Sequence, residues 1–244
     1  MSDTYTKELW SIEAAGGWFA PKGSFVAGGA LTSVFTGKPV NDIDLYFKSK
    51  EDFEAACKRA YEESFWCADV TSRAVTFKHN EDTIQLMHFD WFETAQEIFD
   101  CFDFTCCMGA YDFDGKEFVF DDRFLKHASQ RHLEFHHGTR FPFASLTRVL
   151  KYQSRGYTIG KGALLSIALR CHETEISCWS DLQEQFGGIY GEQVEIATEQ
   201  PFSIDAAIKA LSADFIKSPA LQKDTPLNAS QLLQKIGQLT ADKP

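Results

Sequence analysis

Asp42 and Asp44 stand one residue apart, a short distance after the glycine pair Gly28-Gly29, in the stretch GGALTSVFTGKPVNDIDLYF. Alternation along a strand turns Asp42 and Asp44 to one side and sends Ile43 and Leu45 into the core. Two carboxylates placed this way repel each other unless a cation lies between them. Oxygen ligands of this kind suit Mg²⁺, which keeps bound water and takes further ligands from substrate phosphates. A pair of such ions holds the attacking and leaving oxygens of an in-line displacement at phosphorus. The chemistry expected of Asp42 and Asp44 is therefore displacement at phosphorus on Mg²⁺, with one ion shared or two bridged, two being the expectation.

The glycine pair supplies the other half of such a site. Without β-carbons, Gly28 and Gly29 let the backbone approach a triphosphate closely. They also open a helix, whose first N–H groups and positive dipole end favour phosphate. Ser33 on that helix is a further phosphate candidate. Lys38, in the loop before the DxD strand, reads either as a phosphate ligand or as a solvated lysine. Arg148, Lys151 and Arg155 follow at i, i+3 and i+7, a cationic helical stripe. It serves as a triphosphate clamp or as a plain solvated face. A DxD pair or a glycine pair alone describes many turns; the succession strand, glycine pair, helix, strand, DxD is far more specific.

Patterning supplies the elements that must hold these groups. Ser24–Ala27 reads as a buried strand leading into the glycine pair, Ala30–Phe35 as a short helix ended by Gly37, and Asp42–Phe47 as a strand with one face turned from the core. A helix and connector are expected over 5–20, ending at Gly16-Gly17, and Ser49 caps a helix running to about Ser64. Arg73–His79 and Thr83–Phe89 form a hairpin around Asn80-Glu81-Asp82. A helix over Glu93–Phe99 precedes the apolar run FDFTCCMGAYDF, and Glu117–Phe120 is strand-like. Helices are expected near 122–131, 143–155, 160–171, 179–186, 204–216 and 229–238.

With these residues in view, GGALTSVFTGKPVNDIDL resembles the signature of the head domain of CCA-adding enzymes and bacterial poly(A) polymerases, within the DNA polymerase β-like nucleotidyltransferase superfamily. That signature runs GG-x-V-R-D, an apolar turn of helix, then G-K/R-P-x-x-D-x-D-L. FDFTCCMGAYD, Phe102–Asp112, resembles the family's RDFTINAMAYD segment, and GYTI at 156–159 resembles the end of its nucleotide-selecting helix. The likeness covers about residues 20–160. It implies an α+β fold: a nucleotidyltransferase head over 1–140, with a small mixed sheet flanked by helices, and an α-helical region over 141–244. It further implies that Asp42 and Asp44 hold the metals, that Asp103 contacts the nucleotide, and that Arg148 and Lys151 balance triphosphate charge. The implied activity is transfer of a nucleoside monophosphate from an NTP to an acceptor hydroxyl. The acceptor is an RNA 3′ end, tRNA-like, or else a protein or small molecule; an inactive nucleotide-binding module is the remaining alternative. The departures are specific. Thr32-Ser33 replaces the Arg-Asp pair and Phe102 replaces an arginine. Gln85 stands nearest the expected third carboxylate. FPFAS, Phe141–Ser145, replaces the motif that selects C and A, so CCA synthesis itself is not implied.

Composition bounds the rest. With 244 residues the chain can bury one sizeable core and a second small domain. The formal net charge of −11 disfavours a broad nucleic-acid footprint, although not a local basic patch. No secretion signal or membrane-length apolar run occurs, and the seven cysteines contain no CxxC pair, so a cytoplasmic protein away from membranes is expected. Four histidines, His127, His132, His136 and His137, lack the spacing of a metal site.

Overall fold

The computed structural model describes residues 5–14, 17–191, 194–196, 200–212, 216–217 and 227–241. Its centre is a seven-stranded mixed sheet. The strands are β1 (Ser24–Ala27), β2 (Ile43–Phe47), β3 (Trp66–Val70), β4 (Ala74–His79), β5 (Asp82–Met87), β6 (Gly109–Asp112) and β7 (Glu117–Phe120). Their order is β3-β4-β5-β2-β1-β6-β7, and β2 runs parallel to β5 while the other pairs are antiparallel. The helices are α1 (Thr6–Ala14), α2 (Gly29–Phe35), α3 (Lys50–Glu62), α4 (Ala95–Asp100), α5 (Phe124–Gln130), α6 (Pro142–Ser154), α7 (Lys161–Glu173), α8 (Trp179–Gly187), α9 (Ile204–Ser212) and α10 (Ala229–Ala241). Two short strands, β8 (His132–Leu133) and β9 (Thr158–Ile159), pair in parallel. The fold is α+β, as expected.

Apolar alternation divides the core by sheet face. Val26, Ile43, Leu45, Phe47, Val75 and Leu86 pack with side chains of α2, α3, α5 and α10. Phe25, Ala27, Tyr46, Ala74 and Met87 turn the other way, toward α4, α6 and α7. Both faces of β2 are therefore covered, and every one of its residues is buried. That corrects the expectation of a strand with one face turned from the core: the covering comes from helices distant in sequence. Asp44 consequently lies inside the second cluster's face. Such a placement is costly for a carboxylate unless it is paired or bound.

Local signals placed most elements. The Ser49 side chain accepts from Asp52 N at 3.1 Å and starts α3. The β4–β5 hairpin turns at Asn80-Glu81, with Asn80 at φ 53°. Two strands of the seven-stranded sheet were not expected. β3 is a half-exposed sheet edge interrupted by an irregularity between Cys67 and Asp69. β6 lies in an apolar run without alternation. Ala15-Gly16 of the expected first connector and residues 213–215 of the expected 204–216 helix lie outside the described residues, and Ile216 belongs to a short strand. No described helix is long and apolar enough to cross a membrane.

Candidate active site

The strand ends at the middle of the sheet bring together groups far apart in sequence. Asp42 is exposed, one residue before β2. Asp44 is 5% exposed. The Tyr190 hydroxyl donates a hydrogen bond to Asp44 Oδ2 at 2.7 Å. Asp44 Oδ1 is also buried and has no hydrogen-bond partner among the described residues. Burial, followed by the charge of Asp42, pushes the Asp44 carboxyl up to about 7; the Tyr190 hydrogen bond and the cations Arg148 and Lys151 pull against that. In the parallel register Gln85 sits directly beside Asp44, where a third carboxylate was sought. Its amide donates to Thr76 Oγ1 at 3.3 Å.

Gly28 abuts this carboxylate. Its φ of 84° lies in the left-handed half of the map, and a β-carbon there would come within 3.9 Å of Asp44 Oδ2 and 3.5 Å of the Phe102 ring. Phe102, standing where the resembling family has arginine, closes the Gly28 side with an apolar ring. Gly29 is exposed, with open space where a β-carbon would be. Of the pair, Gly29 is therefore the one that leaves the backbone accessible. Replacing Gly28 with alanine is expected to cost about 1–2 kcal/mol through its dihedral angles alone. The check is the urea midpoint at unchanged slope.

A cavity of about 200 Å³ adjoins Tyr190 and is lined by Phe102, Asp103, Phe141, Arg148 and Lys151. Arg148 Nε lies 3.0 Å from Asp103 Oδ2. Asp103, Arg148 and Lys151 thus line one cavity. Ser33 is half-buried on α2 and accepts from Lys38 N at 2.8 Å, while Lys38 itself lies exposed on the following loop. Neither lines this cavity. Asp42 lines a separate opening of about 360 Å³ with Asp69, Thr76 and Lys78.

The sequence reading missed Tyr190 and the contacts that fix it. A short 3₁₀ turn, Gly188–Tyr190, follows α8. Arg73 Nη1 donates to Gly188 O at 2.8 Å, and its other terminal nitrogen pairs with Glu184. Thr71 Oγ1 donates to Tyr190 O at 2.6 Å. Gly191, at φ 62°, lets the chain pass Ser72 and Arg73 where a β-carbon would be 3.0 Å from the Ser72 hydroxyl. The available signal was the tyrosine within GGIYG, residues 187–191. The histidines serve the neighbouring loop: His127 Nδ1 meets Thr105 Oγ1 at 2.7 Å, and His136 Nδ1 meets Phe102 O at 3.1 Å.

The carboxylate pair, with one buried oxygen left unpartnered, suits a hard divalent cation. Among the described residues no group of three or more His, Cys, Asp or Glu side chains converges. A second ion would have to draw its ligands largely from a bound triphosphate.

Comparison with known proteins places the chain in two ways. A family model described as Gad2, Gabija anti-defense 2 family protein, matches residues 2–131. A protein named Gabija anti-defense 2, from Bacillus phage SPbetaL7, is 36% identical over 205 residues, covering 80% of this chain and 51% of the relative. Among solved structures, the Thermotoga maritima CCA-adding enzyme complexed with tRNA_CCA superposes with a TM-score of 0.50 at 12% identity, covering 84% of this chain and 50% of that one. A tRNA-processing enzyme, apo form I, gives 0.50 at 14% identity, covering 68% and 47%. These likenesses show a nucleotidyltransferase-type fold. The chain spans about half the length of the curated relative and of those enzymes.

Proposed function

The chain belongs to the Gabija anti-defense 2 family rather than to the CCA-adding enzymes, and from that premise we propose that it is a Mg²⁺-dependent nucleotidyltransferase serving counter-defence. It moves a nucleoside monophosphate from an NTP to an acceptor hydroxyl and releases pyrophosphate in the cytoplasm. The observation that carries this reading is Asp44: a buried carboxylate with an orphaned oxygen, beside Asp42 and next to a cavity holding Asp103, Arg148 and Lys151.

Asp42 and Asp44 would hold Mg²⁺, which when bound neutralises charge on the transferring phosphoryl group. A second ion would take its remaining ligands from the triphosphate. Gly29 gives the phosphates access to backbone, with Gly28, Ser33 and Lys38 as nearby support. Lys151, without a carboxylate partner among the described residues, offers its ammonium to the triphosphate, and Arg148 shares its guanidinium between Asp103 and the nucleotide. Asp103 fixes the nucleotide and positions Arg148. In this reading residues 1–140 form the head and 141–244 the helical region, whose Phe141, Arg148, Lys151 and Tyr190 line the cavity.

The acceptor best supported is an RNA 3′ end. Residues 123–172 contain nine Lys or Arg and one Asp or Glu, in a chain of net charge −11. Lys126, Arg131, Lys151, Arg155 and Lys161 are exposed there, and none has a carboxylate partner among the described residues. This cationic region follows α5, α6 and the start of α7, and Lys151 carries it to the cavity. Phosphate neutralisation makes such binding salt-dependent. For about four contacts, RNA affinity should fall roughly 50-fold between 50 and 200 mM salt. Replacing Lys126, Arg131 and Arg155 with alanine should flatten that slope. The second reading, a protein hydroxyl as acceptor, is favoured by one observation, the tyrosine already hydrogen-bonded to Asp44.

The test supplies the protein with Mg²⁺, each α-labelled NTP, and RNA or soluble protein as acceptor. Label on RNA supports the preferred reading, and label on protein moves the acceptor to the second. NTP binding without any transfer would leave an inactive binding module and overturn both.

A further inference from the structure

The hydroxyl nearest the candidate metal-binding carboxylates belongs to the protein itself. Tyr190 Oη lies 2.7 Å from Asp44 Oδ2, at the rim of the cavity that holds Arg148, Lys151 and Asp103. A nucleotidyltransferase needs three things at this point: an acceptor oxygen near the carboxylates, a proton acceptor for it, and cations for the triphosphate. Tyr190 supplies the first, Asp44 the second, and Arg148 with Lys151 the third. We propose that Tyr190 is an internal acceptor, and that the protein nucleotidylates this tyrosine when NTP and a divalent cation are bound without external acceptor.

The proposal rests on the nucleotidyltransferase reading. In the step, Tyr190 Oη forms a bond to the α-phosphorus of the NTP, and the bond between the α-phosphorus and the α,β-bridging oxygen breaks. Pyrophosphate leaves with that electron pair. The phenolic proton departs along the existing hydrogen bond to the Asp44 carboxylate. No oxidation state changes, and the divalent cation accompanies the NTP.

The position is held rather than incidental. Gly188 and Tyr190 are tied through their carbonyls to Arg73 and Thr71, so the phenol is presented from a turn with both flanks fixed. The modification also changes the site. An O-nucleotidylated tyrosine has no phenolic proton to donate, so the hydrogen bond to Asp44 cannot re-form. The adduct therefore removes the hydrogen bond that the unmodified side chain gives to Asp44 Oδ2.

Intact-mass and peptide mass spectrometry of the full chain test this after incubation with Mg²⁺ and each NTP, without RNA. The expected result is an increment of one nucleoside monophosphate, mapped to the peptide containing Tyr190. Tyr190→Phe should lose that increment while keeping a cooperative thermal transition, and Asp44→Asn should lose it too. An unmodified Tyr190 peptide in a preparation that labels RNA would overturn the proposal and leave the nucleotidyltransferase reading standing. An adduct on another residue would overturn it as well. Absence of both adduct and RNA label would overturn the proposal together with the reading on which it rests.

Discussion

Replacing Asp44 with asparagine is expected to stabilise the fold at pH 8 and to abolish nucleotidyl transfer. The two effects share a cause. In the folded protein the Asp44 carboxyl is pushed up to about 7 from an ordinary 3.8, chiefly by burial and then by Asp42. A folded value above the unfolded one means that the fold favours the neutral carboxyl. Its contribution is fully present below pH 3.8, shrinks as the pH rises, and is lost above about 7. A shift of about three pKa units corresponds to about 4 kcal/mol. The asparagine amide keeps the size and can still accept from Tyr190, but carries no charge to desolvate. In chelator at pH 8 the variant should therefore melt roughly 10 °C above wild type, and the gap should close toward pH 4. Transfer should fall by at least about 10³-fold, the equivalent of about 4 kcal/mol of transition-state stabilisation. A lower melting temperature for Asp44→Asn at pH 8 would mean that the carboxylate is a structural anion and not a strained functional one.

The second large effect is expected at Arg148. Its Nε stands 3.0 Å from Asp103 Oδ2, and the side chains are 28% and 8% exposed. Removing the guanidinium leaves Asp103 nearly buried and unpaired, which costs about 3 kcal/mol at this degree of exposure. Arg148→Ala should also raise the KM for NTP by about 10- to 100-fold, through loss of a charge-assisted contact to the triphosphate. The double variant Asp103→Asn/Arg148→Ala separates the two roles. Neutralising Asp103 removes the orphaned charge and should recover most of the lost stability. It should leave the KM high. Recovery of both would make the pair purely structural.

The parts of this site legible in the sequence were those whose signals are local. The glycine pair, the DxD pair and the cationic stripe each occupy a few consecutive residues; Gly28 abuts Asp44 and Arg148 and Lys151 line the cavity at Tyr190, while Asp42 lines a separate opening. The Ser49 cap and the Asn80 turn were equally local, and both held. What was illegible depends on contacts across long stretches of chain. Tyr190 meets Asp44 across 146 residues, and Arg73 meets Gly188 across 115. Neither pairing has a periodicity or a spacing to betray it. The unequal fate of the two carboxylates was hidden for the same reason. Alternation placed Asp42 and Asp44 on one side, but Asp44 is buried and accepts from Tyr190, while Asp42 stands in solvent. Strand β6 was missed because an apolar run covered on both faces carries no alternation to read.

The most direct test of the central claim uses purified protein, Mg²⁺ and α-labelled NTPs with a short RNA ending in either a 3′-hydroxyl or a 3′-deoxy nucleotide. Products are resolved at single-nucleotide length, beside an Asp42→Asn/Asp44→Asn control. Wild type should extend the 3′-hydroxyl RNA, with no extension of the 3′-deoxy RNA and none by the control. Extension that persists in the double variant, or wild type that binds NTP and Mg²⁺ yet transfers to neither RNA nor protein, would contradict the claim.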